Sequence, residues 1–142
     1  MYAYKRGDYR RCLHLSTQNF YTLLYAAVRM RDVPIFPEFA QLLDDNIVSL
    51  TALMLIVRPK CRNVEDGYGI GGVCISQLTL TLYLMTQCQL KLRHSVTKLT
   101  RTLDGIELVQ RRRCIDRTLD HLTLRLNARF VLSHIRNSLS SQ

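Results

Sequence analysis

The chain has 142 residues, with 20 Lys and Arg against 11 Asp and Glu, four His, and a formal net charge of +9. Its 47% hydrophobic and 22% charged content is that of a folded globular chain, which excludes intrinsic disorder, and the length suits one domain, 1–142, but not a two-domain enzyme. Six Gly and three Pro are too few for the closely spaced turns of an all-β sandwich.

In chain order, Tyr2 and Tyr4 fall in a short opening helix that turns at Gly7. Asp8 to Arg29 follows as a helix: Tyr9, Cys12, Leu13, Phe20, Leu23, Leu24 and Ala27 recur at three- and four-residue spacing, and Asp8 caps the first turn. The stretch 29–36 is a connector containing Pro34. Pro37 then opens a short helix, Glu38 to Leu43, and Asp44, Asp45 or Asn46 caps another, Ile47 to Val57, which stops before Pro59. Residues 60–72 form a loop rich in glycine.

The next segment is ambiguous. Leu78-Thr-Leu-Thr-Leu-Tyr-Leu84 alternates with period two, as a strand does, yet the apolar pattern runs on to Leu92 without a turn signal, far beyond an ordinary strand. Cys74, Leu78, Leu82 and Met85 make one helical stripe and Leu80 and Leu84 another, so a helix packed on both sides is expected, with no extended sheet anywhere. After a break at His94-Ser95, with Ser95 as N-cap, Val96, Leu99, Leu103, Ile106 and Val109 mark a helix closed by Arg111-Arg112-Arg113. Gly105 lies inside it at a cost of roughly 1 kcal/mol against Ala. The last helix spans Asp116 to Leu139, with Leu119, Leu122, Leu126, Phe130, Leu132 and Ile135 inward.

The expected class is therefore all-α: antiparallel helix hairpins stacked as a right-handed solenoid or a small bundle. Ile47 to Val57 is too short to cross a bilayer, and Val73 to Leu90 is broken by Ser, Thr and Gln, so no membrane span is expected. The start of the chain lacks an apolar leader. Cys12, Cys61, Cys74, Cys88 and Cys114 are odd in number and dispersed, which points to free thiols in a reducing, cytoplasmic setting and to neither a disulfide framework nor a zinc knuckle.

Tyr4-Lys-Arg-Gly7-Asp8-Tyr9-Arg-Arg-Cys12-Leu13 resembles the inter-helix turn of a tetratricopeptide repeat: Gly reverses the chain, Tyr packs between helices, and a small residue at Cys12 allows close approach. The closing proline of such a repeat has no counterpart near Leu24. The segments 36–50 and 76–94 resemble the C-terminal helical extension of invertebrate, especially molluscan, Mab-21-like proteins, relatives of cGAS-like nucleotidyltransferases. That resemblance implies a helical tail behind a signalling domain, and a chain that is a fragment of something longer. The nucleotidyltransferase core, with its Gly-Ser turn and paired acids, has no counterpart here, so no catalytic residue is carried over.

Gly67-Tyr-Gly69-Ile-Gly71-Gly72 matches G-x-G-x-x-G, but the preceding strand and the acid some twenty residues on are missing, so a plain loop is the better reading. His14, His94, His121 and His134 are scattered. Asp116, Asp120 and His121 share a turn, with Asp120 expected to pair with an arginine, and Asp44-Asp45 reads as a cap and not a metal site. No catalytic residue, cofactor or metal ligand is expected.

Residues 91–142 hold eleven basic and four acidic side chains, net +7, against net +2 for residues 1–90. The candidate basic patch is Lys98, Arg101, Arg111, Arg112, Arg113 and Arg117, flanked by Lys91 and Arg93; it favours acidic partners and weak nucleic-acid binding, without aromatic residues for base stacking. The candidate partner groove carries Tyr2, Tyr4, Tyr21 and Tyr25, of residue types that dominate protein–protein hot spots. The leading function is a non-catalytic protein- or peptide-binding module; the alternative is nucleic-acid or acidic-ligand binding through the basic C-terminal helices.

Overall fold

A computed structural model describes residues 2–25, 32–34, 74–111 and 118–140. The expected helices 38–43 and 47–57, the loop 60–72, and Arg112, Arg113 and Arg117 lie outside the described residues. The described residues are all-α apart from one three-residue strand pair, as the periodicity implies. Helix α1 spans Tyr2–Lys5, α2 Tyr9–Tyr25, α3 Gln77–Lys91, α4 Val96–Arg111 and α5 Thr118–Ser140. Among the described residues no helix is long and apolar enough to cross a membrane.

Gly7, at φ 75, makes the left-handed reversal between α1 and α2 that a Cβ would penalise. Asp8 then caps α2 by accepting from the Arg11 N–H at 3.1 Å. Tyr4 and Tyr9 meet edge to face across that turn, with centroids 5.6 Å apart.

The Leu/Thr alternation at 78–84 does lie in a helix. α3 is the centre of the fold, packed against α2, α4 and α5, and every residue from Leu78 to Gln89 is buried. A helix apolar on one stripe only would not suit this position; on α3 several of the buried polar side chains find partners. Thr81 and Thr86 donate to the carbonyls of Gln77 and Leu82, Asn19 of α2 donates to the Thr81 hydroxyl, and Thr102 of α4 donates to Gln89 Oε1 at 2.7 Å.

The start of α3 is corrected. Cys74–Ser76 is an extended segment, β2, pairing antiparallel with β1, Asp32–Pro34, in the register Asp32↔Ser76, Val33↔Ile75, Pro34↔Cys74. The expectation of no extended pairing therefore fails over three residues. Ser76 explains the boundary: at ψ 145 it leaves the helical region, and its hydroxyl accepts from the Thr79 N–H at 3.1 Å.

Two apolar clusters sit along α3. One gathers Cys12, Ile75, Leu80, Tyr83, Leu84, Cys88 and Leu119; the other Phe20, Leu24, Leu78, Leu82, Met85, Ile106, Val109 and Leu124. Gly105 has its reason in the second, since a Cβ there would stand 3.3 Å from Phe20 Cζ, and its absence lets α4 close on α2.

Helix α5 is rotated relative to expectation. Leu119, Asp120, Thr123, Leu124, Asn127 and Val131 are buried, Leu122, Leu126, Phe130 and Ile135 are half-buried, and Leu132 is 52% exposed. The anchor is Asp120, whose Oδ1 accepts from the buried Ser76 N–H at 2.9 Å; among the described residues its partner is this backbone amide and not an arginine. Asp120→Ala leaves that amide without an acceptor and is expected to cost about 1–3 kcal/mol, with Asp120→Asn milder because it keeps a carbonyl oxygen. Urea unfolding midpoints at unchanged slope measure both.

Candidate interaction surfaces

The four tyrosines do not form one groove. Tyr2, 68% exposed with the Arg6 guanidinium 4.4 Å above its ring, and Tyr4, half-buried against Tyr9, sit on α1 beside the start of α2. Tyr21 and Tyr25 stack with centroids 6.2 Å apart near its other end, about 18 Å along the axis from Tyr9 at 1.5 Å per residue. Tyr25 is 78% exposed and Tyr21 52%.

A concavity lies instead between α2 and α3. It encloses about 540 Å³ and is walled by Leu15, Leu80 and Leu84, with Asn19, Thr22 and Thr81 supplying polar edges. None of the tyrosines lines it. The i, i+4, i+7 spacing of Leu15, Asn19 and Thr22 on α2 was the signal in the sequence, masked there by the stronger apolar stripe next to it.

Of the candidate basic patch, Lys98, Arg101 and Arg111 are among the described residues. On α4, Lys98, Arg101 and Arg111 are exposed, but Arg111 pairs with Glu107 at 3.5 Å and exposed Asp104 is interspersed, so this helix offers a mixed charge face. Helix α5 carries the cleaner one. Arg125, Arg129 and Arg136 are exposed within one angular sector, and the helix's one acidic residue, Asp120, is buried. Their i, i+4, i+11 spacing is legible in the sequence but falls outside the run of consecutive arginines.

No group of three or more His, Cys, Asp or Glu placed to hold a metal ion occurs among the described residues. One cysteine pair stands out. Cys12 of α2 and Cys88 of α3 are free thiols in the first apolar cluster, 2% and 0% exposed. Hydrogen bonding with Cys88 and, against the opposing cost of burial, with Ser16 draws the Cys12 thiol down to about 6. The same Cys12 contact, with burial, pushes the Cys88 thiol up. Iodoacetamide labelling followed by peptide mass analysis should therefore modify Cys12 ahead of Cys88. The Cys12 rate should rise as pH climbs through about 6, where its thiolate forms in the folded state. Equal labelling of the two cysteines would contradict the asymmetry.

Comparison with protein families, curated proteins and solved structures finds no match to this chain.

Proposed function

We propose that the chain is a non-catalytic helical module for protein–protein interaction, with its helix hairpins stacked in the manner of tetratricopeptide repeats. The observation that carries this reading is the α2/α3 groove: a concave wall of Leu15, Leu80 and Leu84 edged by Asn19, Thr22 and Thr81, the mix of apolar floor and fixed polar groups that suits an extended segment or a partner helix. The Tyr4–Cys12 turn supports the repeat-like arrangement, since Gly7 reverses the chain and Cys12 is buried where α2 meets α3. The resemblance of 76–94 to the tail of Mab-21-like signalling proteins supports placing the module behind such a domain, in the cytoplasm.

A photo-crosslinking residue at position 15 tests the module directly. A discrete protein adduct is expected, lost when Thr22→Arg fills the groove and retained when Leu139→Arg alters a distant exposed site. Adducts insensitive to Thr22→Arg would refute it.

A second reading has its own observation, the Arg125/Arg129/Arg136 face of α5, which favours an acidic ligand or nucleic-acid backbone. If three phosphates are neutralised there, replacing all three by Gln lowers the slope of log affinity against log salt by roughly 3 on duplex DNA. An unchanged slope would remove α5 from the account.

A further inference from the structure

A second cleft lies on the side of α2 that faces the α3–α4 turn. It encloses about 390 Å³ and is lined by Arg10, Leu13, His14, Leu92 and His94. Arg10, Leu13 and His14 fall together because i, i+3 and i+4 share one face of α2. Leu92 and His94 are fixed by the way α3 ends. The Arg93 N–H donates to the Leu90 carbonyl and the His94 N–H to the Gln89 carbonyl, with Arg93 itself at φ 51. This termination normally uses glycine in the left-handed position; here a cationic residue occupies it.

Three features of the cleft agree. Its polar lining consists of one guanidinium and two imidazoles, with no carboxylate among the lining residues. Arg10 forms no ion pair among the described residues. His94 is half-buried at the cleft; its Nδ1 is shielded from solvent and has no hydrogen-bond partner, which leaves Nε2 as the ring nitrogen that a ligand could reach. Leu13 and Leu92 make the remaining wall apolar, and the volume exceeds what a bare inorganic ion fills.

We propose that this cleft binds an organic phosphate monoester, with Arg10, His14 and His94 holding the phosphate oxygens and Leu13 and Leu92 contacting the organic body. Arg donates to phosphate in a fixed fork, and charge-assisted bonds of this kind are the stronger class of hydrogen bond. The charged and titratable groups around His94 are Arg10 and His14 from α2, Arg93 from the turn and Lys98 from α4. Burial, and then the nearby Lys98 charge, hold the His94 imidazole below its ordinary range. A dianion in the cleft opposes both effects.

The test uses the full chain and phenyl phosphate, followed through the imidazole nitrogen signals of all four histidines at matched ionic strength. The signals of His14 and His94 should move on saturation while those of His121 and His134 stay, and the His94 titration midpoint should rise by about 1 pH unit. Inorganic phosphate should bind more weakly and phenol should not bind. Arg10→Gln, at an exposed position, should weaken half-saturation by roughly tenfold or more; His14→Gln provides a second variant. A phosphotyrosine peptide binding more tightly than phenyl phosphate assigns the ester to a protein, and equal binding assigns it to a free small molecule. Equal movement of all four histidines, equal effect of phenol, or undiminished binding in both variants overturns the proposal.

Discussion

Leu82→Ala is expected to destabilise the protein by about 3 kcal/mol, while Leu132→Ala leaves stability within about 0.5 kcal/mol. The two leucines contribute alike to sequence hydrophobicity and differ only in where the fold puts them. Leu82 is fully buried in the cluster with Phe20, Leu24, Leu78, Met85, Ile106, Val109 and Leu124. It lies where three helices converge: Leu82 Cδ2 is 3.9 Å from the position a Gly105 Cβ would take, and Phe20 closes from α2. Neighbours held on three sides cannot collapse into the space left by the lost carbons, so a cavity cost adds to the lost transfer energy. Leu132 stands on the solvent side of α5. Thermal unfolding reads the contrast as roughly a 10 °C drop for the first variant and almost none for the second. Comparable losses would mean that α5 buries the opposite face.

Asn127→Asp is expected to cost about 3–5 kcal/mol at neutral pH, and the cost shrinks as pH falls. Asn127 is fully buried, and neither its Nδ2 nor its Oδ1 has a hydrogen-bond partner; Thr123 Oγ1, one turn earlier, is likewise shielded and unpartnered. A carboxylate of the same shape would be desolvated without compensation, raising its folded pKa above the unfolded value near 3.9. Below the unfolded pKa both states are protonated and the penalty vanishes; it grows as pH rises from there towards the folded pKa. Thr123→Val provides the opposite sign. It removes an unsatisfied hydroxyl at nearly constant shape and should raise stability by about 1 kcal/mol. Urea titrations at pH 4 and pH 7 measure both, and a destabilised Thr123→Val would indicate an ordered water bridging these groups.

The candidate surfaces were only partly legible from residue types. Consecutive arginines at 111–113 suggest a binding patch, yet the structure pairs Arg111 with Glu107 and places Arg125, Arg129 and Arg136, without an ion pair among the described residues, on α5. Adjacent residues on a helix diverge by 100°, so a run of three cannot make a stripe, whereas i, i+4, i+11 does. His14 and His94 looked scattered because they are eighty positions apart; the packing of α2 against the α3–α4 turn puts both on one cleft.

The residues by themselves determined the all-α class, the Gly7–Asp8 turn and the helical state of the Leu/Thr segment, because periodicity, capping and segment length are local properties that the chain carries wherever it lies. The rotation of α5, the three-residue ladder between 32–34 and 74–76, and the meeting of Cys12 with Cys88 were decided by tertiary structure. Each depends on a partner distant in the chain: Asp120 reaching the Ser76 amide turns α5 so that Asn127 is buried and Leu132 is left in solvent. A hydrophobic stripe names a preferred face, but a single buried hydrogen bond at the helix start, worth as much as a leucine's partial burial, is enough to select its neighbour.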